Sequence, residues 1–247
     1  METQLEIEQA DVQAPSDQMR DQTTTSKSTE AEPKQTRKKA VLRPKAVHTY
    51  DTIVVGAGIS GIAAAYKMKQ VGYQDYLVLE KAERVGGTWR DNNYPGCGCD
   101  VPSALYSFSL APSHQWSHLF AKQPEILSYL ERVVEQFELQ DKIRFQHELL
   151  SAKWNDETNI WQLETSQGAY QARTVIFSTG PITEPSLPKI KGIEGFKGEM
   201  FHSARWKHDY DLTGKRVAVI GTGASAIQFI PQIQPLAKEL IVFQRTA

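Results

Sequence analysis

The chain has 247 residues, enough for one full domain and part of a second. Its 28 Lys and Arg residues nearly balance 29 Asp and Glu residues, so the formal charge of −1 gives no general attraction to nucleic acids or anionic membranes. The longest weakly polar run, residues 53–66, is too short to cross a bilayer, and the acidic N-terminus has no apolar run of signal-peptide type. We therefore expect a soluble cytoplasmic protein with neither a nucleic-acid nor a membrane partner.

The first 47 residues have the composition of a disordered tail. They contain no Phe, Trp, Tyr or Gly and are rich in Gln, Thr, Ser, Glu and Lys. Such a segment buries too little apolar surface to offset the entropy lost on ordering. A basic cluster near its end, residues 37–45, is interpreted as a solvated charge run and receives no function.

The folded part begins with a strand, a glycine turn and a helix. Asp51–Val55 is a β-branched run, residues 56–61 read Gly-Ala-Gly-Ile-Ser-Gly, and an Ala-rich helix is predicted to Gln70. A second strand over residues 76–80 closes a βαβ unit of about 30 residues, the context that gives a glycine pattern its meaning. A helix from Pro124, a strand at 143–145, an antiparallel meander over 151–171 and a buried strand at 174–178 are predicted to follow.

The opening pattern then recurs after a Pro-, Gly- and Lys-rich loop. A strand is predicted at 216–220, a glycine turn at 221–226, a helix to about Gln234 and a strand at 240–243. The predicted fold class is α/β, with two dinucleotide-binding (Rossmann-like) folds, the second incomplete, a small antiparallel β-meander and the disordered tail. The expected domains are the tail at 1–47, an FAD-binding domain at 48–200, an interdomain linker at 201–215 and the truncated start of an NADP-binding domain at 216–247.

Both glycine turns are predicted to bind a pyrophosphate. The charge of a pyrophosphate must meet bare backbone N–H groups at a helix N-terminus, and a side chain at the first two glycines of each turn would hold those donors away. The third small residue lets the helix pack closely on its strand. The residues assigned to these cofactor sites are Gly56, Gly58, Ser60 and Gly61 in the first turn and Gly221, Gly223, Ser225 and Ala226 in the second.

The end of each following strand indicates which nucleotide is preferred. Glu80 lies 24 residues after Gly56, where a carboxylate accepts hydrogen bonds from ribose hydroxyls and repels a 2′-phosphate. Arg245 lies 24 residues after Gly221, where a guanidinium binds that phosphate and Thr246 adds a hydroxyl. The first site therefore suits FAD or NAD and the second NADP, which together imply hydride transfer and flavin reoxidation.

Other chemistries find little support in the sequence. A flavin disulfide reductase needs a Cys-x-x-Cys or wider pair, whereas Cys97 and Cys99 are separated by one residue. These two cysteines also lack the second ligand pair of a structural zinc site, and the histidines show no metal-ligand spacing, so no metal is expected. Neither turn serine lies in the Gly-x-Ser-x-Gly elbow of a serine hydrolase.

Residues 196–206, Phe-Lys-Gly-Glu-Met-Phe-His-Ser-Ala-Arg-Trp, resemble the FxGxxxHxxxW fingerprint of Baeyer–Villiger monooxygenases, the sister group of the flavin-containing monooxygenases. Segments 86–89, 93–103, 106–108 and 243–246 are similar to the same family, so the resemblance covers residues 50–247. It implies a monooxygenase that uses FAD, NADPH and O2 to convert a small organic ketone to an ester or lactone through a C4a-peroxyflavin.

The resemblance also implies roles for individual residues. Glu80 would hold the FAD ribose and the Leu149 backbone would meet the adenine. Thr88 and Trp89 would lie along the flavin, and Asp100 and Tyr106 would sit near its ring and ribityl chain. Asp100 would be a catalytic flavin-side carboxylate that orients an active-site arginine. His202 is read as a hinge residue that couples NADP binding to domain closure, although Lys207 stands where the family has Pro or Asp after Trp206.

Members of that family continue for roughly the same length beyond the part that this chain matches. The resemblance therefore implies that the chain is a fragment, with a complementary C-terminal fragment as a candidate partner. Two alternatives stay open at this point. One is an N- or S-oxygenating flavin monooxygenase; the other is a non-catalytic flavin-binding remnant or subunit.

Overall fold

The computed structural model describes residues 47–181 and 184–245. Almost all of the predicted tail, and the predicted site residue Thr246, lie outside the described residues. The strands are β1 His48–Val55, β2 Tyr76–Leu79, β3 Ile143–Arg144, β4 Leu149–Asn155, β5 Ile160–Thr165, β6 Gly168–Phe177, β7 Arg216–Ile220 and β8 Glu239–Phe243. The α-helices are α1 Ile59–Gln70, α2 Thr88–Asp91, α3 Gln123–Gln136 and α4 Ala224–Ile233.

Six strands form the main sheet in the order β3-β2-β1-β6-β5-β4. β1 is central and parallel to both β2 and β6, so that Val54 pairs with Val78 on one side and with Ile176 on the other. β4, β5 and β6 are antiparallel to one another, which is the predicted meander. The α/β fold class with a dinucleotide-binding unit at its start is confirmed.

Helices α1 and α3 cover one face of this sheet. Ile62 of α1 and Ile126, Leu130 and Val133 of α3 are almost fully buried in one cluster with Val54 of β1. The spacing of the α3 residues places them on one side of the helix, as predicted, and Pro124 lies in its first turn, where no backbone donor is lost. On the opposite face, strand residues of β1 and β2 pack against residues of the meander.

The prediction of a separate buried strand at 174–178 is wrong. These residues form the second half of the single strand β6, and Ile176 and Phe177 are 37% and 53% exposed. The last pairing of β6 with β5 is at Ala172. Beyond that residue β6 pairs with β1 alone among the described strands, so its outer edge is open. The apolar run was typical of a strand covered on both faces, but this part of β6 lies at a sheet edge.

A second, two-stranded parallel sheet contains β7 and β8, joined by α4. All five residues of β7 pair with β8, from Arg216 with Glu239 to Ile220 with Phe243. The predicted second strand–glycine turn–helix–strand unit is therefore confirmed, with two strands in the part of the chain that the structure describes. No helix among the described residues is long and apolar enough to span a membrane.

Candidate functional site

The first glycine turn is built so tightly that two of its glycines are required by the protein itself. Gly56 has φ +103°, and a Cβ there would lie 2.5 Å from the carbonyl oxygen of Ser178 at the end of β6. A Cβ at Gly61 would lie 1.8 Å from the carbonyl oxygen of Gly56. Helix α1 thus begins in direct contact with the backbone of the turn, which is the role predicted for Gly61.

Gly58 differs from these two glycines because protein packing leaves room for a side chain there. A Cβ at Gly58 would meet its nearest protein atom, the Cα of Gly87, at 3.6 Å, which is ordinary van der Waals contact. Protein packing therefore does not require glycine at this position, and in the predicted role of the turn only an approaching pyrophosphate would require it.

The start of α1 has the properties of an anion site. Its N-cap, Gly58, offers no side-chain hydrogen bond, and the first turn contains no acidic residue. The backbone donors of the first turn thus have no cap side chain and no acidic side chain of their own helix to compensate them. A pyrophosphate supplies the negative charge that such a helix end favours, so the residues present fit a dinucleotide.

A cleft of about 500 Å³ opens beside this turn. It runs from the ends of β1 and β2 past the first turn of α1 to α2, and on to the start of β4. Eight of the residues predicted to bind FAD line it: Gly56, Gly58, Ser60, Glu80, Thr88, Trp89, Tyr106 and Leu149. Gly61 lies beneath the turn, and Asp100 is exposed and is not among the lining residues.

Glu80, at the end of β2, is only 3% exposed, and its carboxylate accepts hydrogen bonds from three donors of the protein. Its Oε2 accepts a hydrogen bond from the backbone N–H of Ala57 at 2.7 Å. Its Oε1 accepts one from the N–H of Ala82 at 3.0 Å and one from Nη1 of Arg90 at 2.9 Å. The carboxylate predicted to meet the ribose is therefore fixed by the glycine turn on one side and by α2 on the other.

Sequence reasoning missed Arg90 and its neighbour Asp91, both of which line the cleft. Nε and Nη2 of Arg90 donate to the two carboxylate oxygens of Asp91 at 2.7 and 3.1 Å, and Nη1 also donates to the carbonyl oxygen of Arg84. Burial alone would lower the pKa of Arg90, but the hydrogen bonds to Asp91 and the charges of both carboxylates outweigh it and raise the pKa above its ordinary value. The only sequence signal is that Arg90 directly follows the Gly-Gly-Thr-Trp segment.

The aromatic wall of the cleft is also fixed by hydrogen bonds. Nε1 of Trp89 donates to the hydroxyl of Tyr106 at 2.9 Å, and the two rings meet edge to face with centroids 5.5 Å apart. Gln123 at the start of α3 donates from Nε2 to the carbonyl oxygen of Trp89. Burial raises the pKa of Tyr106, so its hydroxyl is neutral and can both accept from the indole and donate elsewhere.

The second glycine turn repeats the first in its backbone but not in its surroundings. Gly221 has φ +108° and Gly223 caps α4 without a side-chain hydrogen bond or an acidic residue in the first turn, while Ala226 packs in the core. A Cβ at Gly221 would meet nothing within 4 Å, because no described strand flanks β7 as β6 flanks β1. Arg245 is exposed two residues after β8.

The linker places Trp206 of the fingerprint against α4, while His202 stabilises a short turn just before it. Nδ1 of His202 accepts a hydrogen bond from the N–H of Ala204 at 3.1 Å and so caps the short turn at 203–205. The Trp206 ring lies 5.2 Å from Phe201 and 5.2 Å from Phe229 of α4, measured between centroids. These contacts agree with a structural role for the fingerprint, while the hinge role of His202 stays a prediction.

Helix α4 itself is fastened to the loop that follows α2. Oε1 of Gln228 accepts hydrogen bonds from the Tyr94 hydroxyl at 2.9 Å and from the N–H of Gly98 at 3.3 Å, and its Nε2 donates to the carbonyl oxygen of Gly98 at 2.8 Å. A Cβ at Gly96 would lie 2.6 Å from the Gln228 carbonyl oxygen, so the loop and helix backbones approach closely. Burial is the largest cause that raises the pKa of Tyr94 to about 12. A hydrogen bond to Ser225 acts in the opposite direction and lowers it, but less strongly.

These features define a protein with two dinucleotide-binding folds in contact. Residues 53–247 match the family model described as pyridine nucleotide-disulphide oxidoreductase. A Baeyer-Villiger monooxygenase of Streptomyces coelicolor is 51% identical over 193 residues, which are 78% of this chain and 37% of that protein. One of Pseudomonas aeruginosa is 48% identical over 204 residues, 82% of this chain and 39% of that protein.

Solved structures agree. An oxidized steroid monooxygenase bound to NADP superposes with a TM-score of 0.73 at 44% identity, over 81% of this chain and 39% of that one. The crystal structure of the OTEMO complex with FAD and NADP superposes with a TM-score of 0.75 at 40% identity. The match covers 81% of this chain and 40% of that one. The chain belongs to the pyridine nucleotide-disulphide oxidoreductase family, and its resemblance to the N-terminal portion of Baeyer–Villiger monooxygenases is confirmed. It spans about two fifths of the length of the relatives it matches.

Proposed function

We propose that this chain holds the FAD site and the first part of the NADP site of a Baeyer–Villiger monooxygenase, which oxidises a small organic ketone to an ester or lactone with NADPH and O2. The observation that carries the proposal is the pair of strand–glycine turn–helix units whose strand ends bear opposite charge, Glu80 in one and Arg245 in the other. A carboxylate accepts hydrogen bonds from ribose hydroxyls, whereas a guanidinium binds a 2′-phosphate.

The residues of the cleft support this assignment. The N-terminus of α1 and Gly58 would bind the FAD pyrophosphate, and Glu80 the adenosine ribose. Trp89 would lie along the flavin and Tyr106 near its ring and ribityl chain, and the hydrogen bond between them keeps both side chains in place. When bound, FAD supplies the redox centre that accepts hydride from NADPH and reacts with O2.

The remaining assignments are part of the same proposal. Asp100 is proposed as the flavin-side carboxylate and the Leu149 backbone as the adenine contact. Gly221, Gly223 and Ser225 would bind the NADP pyrophosphate at the start of α4. The domain boundaries proposed are 48–200 and 216–247, joined by the linker that carries His202.

The test is to purify the chain and measure flavin absorbance before and after NADPH is added without oxygen. We expect a yellow protein whose absorbance near 450 nm is bleached by NADPH and less readily by NADH. Retention of flavin without bleaching would favour a flavin-binding remnant. A colourless protein that takes up no added FAD would refute the proposal.

A further inference from the structure

Three charged side chains form a chain of contacts along one wall of the cleft: Glu80, Arg90 and Asp91. The Glu80 and Arg90 side chains are only 4% and 7% exposed, and that of Asp91 is 21% exposed. Removing two charges from water in this way costs several kcal/mol, so the pair contributes less to net stability than to the fixed geometry of its members. The question is which geometry Arg90 imposes.

The guanidinium uses its donors in two directions. Its Nε and Nη2 form a bidentate contact with Asp91, which fixes the plane of the guanidinium. In that plane Nη1 reaches both the Arg84 carbonyl oxygen at 2.8 Å and Oε1 of Glu80 at 2.9 Å. Arg90 therefore cannot rotate without losing several hydrogen bonds at once.

The contacts of Glu80 leave one acceptor position open. A carboxylate oxygen accepts about two hydrogen bonds. Oε1 has both positions taken, by Arg90 and by the Ala82 N–H, whereas Oε2 accepts from the Ala57 N–H alone among the residues that the structure describes. Because Glu80 lines the cleft, the second position of Oε2 is the one available to a ligand there.

We infer that Arg90 is a positioning residue for ribose recognition: by occupying Oε1 of Glu80 it directs Oε2 toward a ribose hydroxyl of the dinucleotide. The inference rests on the proposed FAD site and extends it to a residue that need not touch the cofactor. Without Arg90, the Glu80 carboxylate keeps two backbone donors but loses its counter-ion and its fixed orientation, and the ribose hydroxyl loses a positioned acceptor.

The test measures how strongly the protein distinguishes FAD from an analogue whose adenosine ribose lacks the 2′-hydroxyl. Dissociation constants for both are measured in the wild-type chain, in Arg90→Met and in Arg84→Met. We expect wild type to bind the analogue about 10- to 100-fold more weakly than FAD, as for the loss of one hydrogen bond to a charged group. Arg90→Met should reduce this ratio to within about twofold of one.

Arg84→Met is the matched control. It removes the same charge six residues away, but that side chain is 52% exposed and contacts Glu131 instead of the cleft. The ratio should stay at the wild-type value. If Arg90 had a purely structural role, Arg90→Met would weaken the binding of both ligands equally and leave the ratio of their dissociation constants unchanged. The ratio therefore distinguishes a positioning role from a structural one.

Two outcomes overturn the inference but leave the proposed FAD site intact. In one, Arg90→Met keeps the wild-type ratio of dissociation constants; in the other, the wild-type chain binds FAD and the analogue equally. A wild type that binds no FAD refutes the proposed function, and the inference with it. If Arg90→Met does not fold, Arg90→Lys replaces it: one ammonium cannot reproduce the fork, so the ratio should fall several-fold, and an unchanged ratio overturns the inference.

Discussion

Replacing Gln228 by Met should loosen the attachment of α4 to the loop after α2. Met keeps the unbranched stem and has nearly the helix propensity of Gln, so the change removes hydrogen bonds and little else. Three bonds are lost: to the Tyr94 hydroxyl at 2.9 Å and to the Gly98 backbone at 2.8 and 3.3 Å. At about 1 kcal/mol for each short bond and less for the long one, the free energy of unfolding should fall by about 2 to 3 kcal/mol.

The assay is urea unfolding followed by tryptophan fluorescence and circular dichroism. Gln232→Met is the control, because that residue lies one turn further along α4 with an exposed side chain and should change the free energy by no more than about 0.5 kcal/mol. Tyr94→Phe combined with Gln228→Met should show a coupling of about 0.5 to 1.5 kcal/mol. Equal stabilities for the two Gln variants would refute the reasoning.

Three further predictions concern the glycine turns, nucleotide choice and alkaline stability. Gly61→Ala should give little folded protein, since its Cβ would lie 1.8 Å from a backbone oxygen. Gly58→Ala should fold with the melting temperature of the flavin-free wild-type chain and should bind no flavin, since its Cβ would meet its nearest protein atom at 3.6 Å. Soluble yield and the ratio of absorbance at 450 to 280 nm distinguish the two variants. Arg245→Ala should reduce the preference for NADPH over NADH by about 10-fold or more, measured as dissociation constants, and an unchanged preference would contradict the phosphate assignment. Burial raises the pKa of the Cys97 and Cys99 thiols above their ordinary value of 9.0, so the unfolded chain releases these protons at lower pH than the folded chain. Their contribution to stability should therefore be complete below about pH 9 and decline above it, seen as a falling urea midpoint that is less steep in Cys97→Ala.

The elements that sequence predicted well are those specified locally. The strand, glycine turn and helix at residues 51–70 depend on neighbours within a few positions, and the structure has them as β1 and α1. The same holds for β7 and α4. In each case the periodicity of apolar residues and the small residues of the turn were sufficient.

What sequence could not predict depends on residues far apart in the chain. Gln228 and Gly98 are 130 positions apart, and nothing near either residue indicates that they meet. The exposure of Phe177 likewise depends on where β5 stops pairing with β6, which its own apolar run does not reveal. Arg90 was missed because an arginine on a four-residue helix is ordinarily solvated, and only its contact with Glu80 shows that it is buried.

The uncapped starts of α1 and α4 link the lifetime of this protein to the supply of its proposed nucleotides. A ligand that binds only the folded chain stabilises it by about 2.7 kcal/mol when its free concentration is 100 times its dissociation constant. With no side chain at either helix start to take over that role, scarcity of flavin would lower the melting temperature and expose the chain to proteolysis. The supply of the flavin precursor would thus set how much of the folded chain persists.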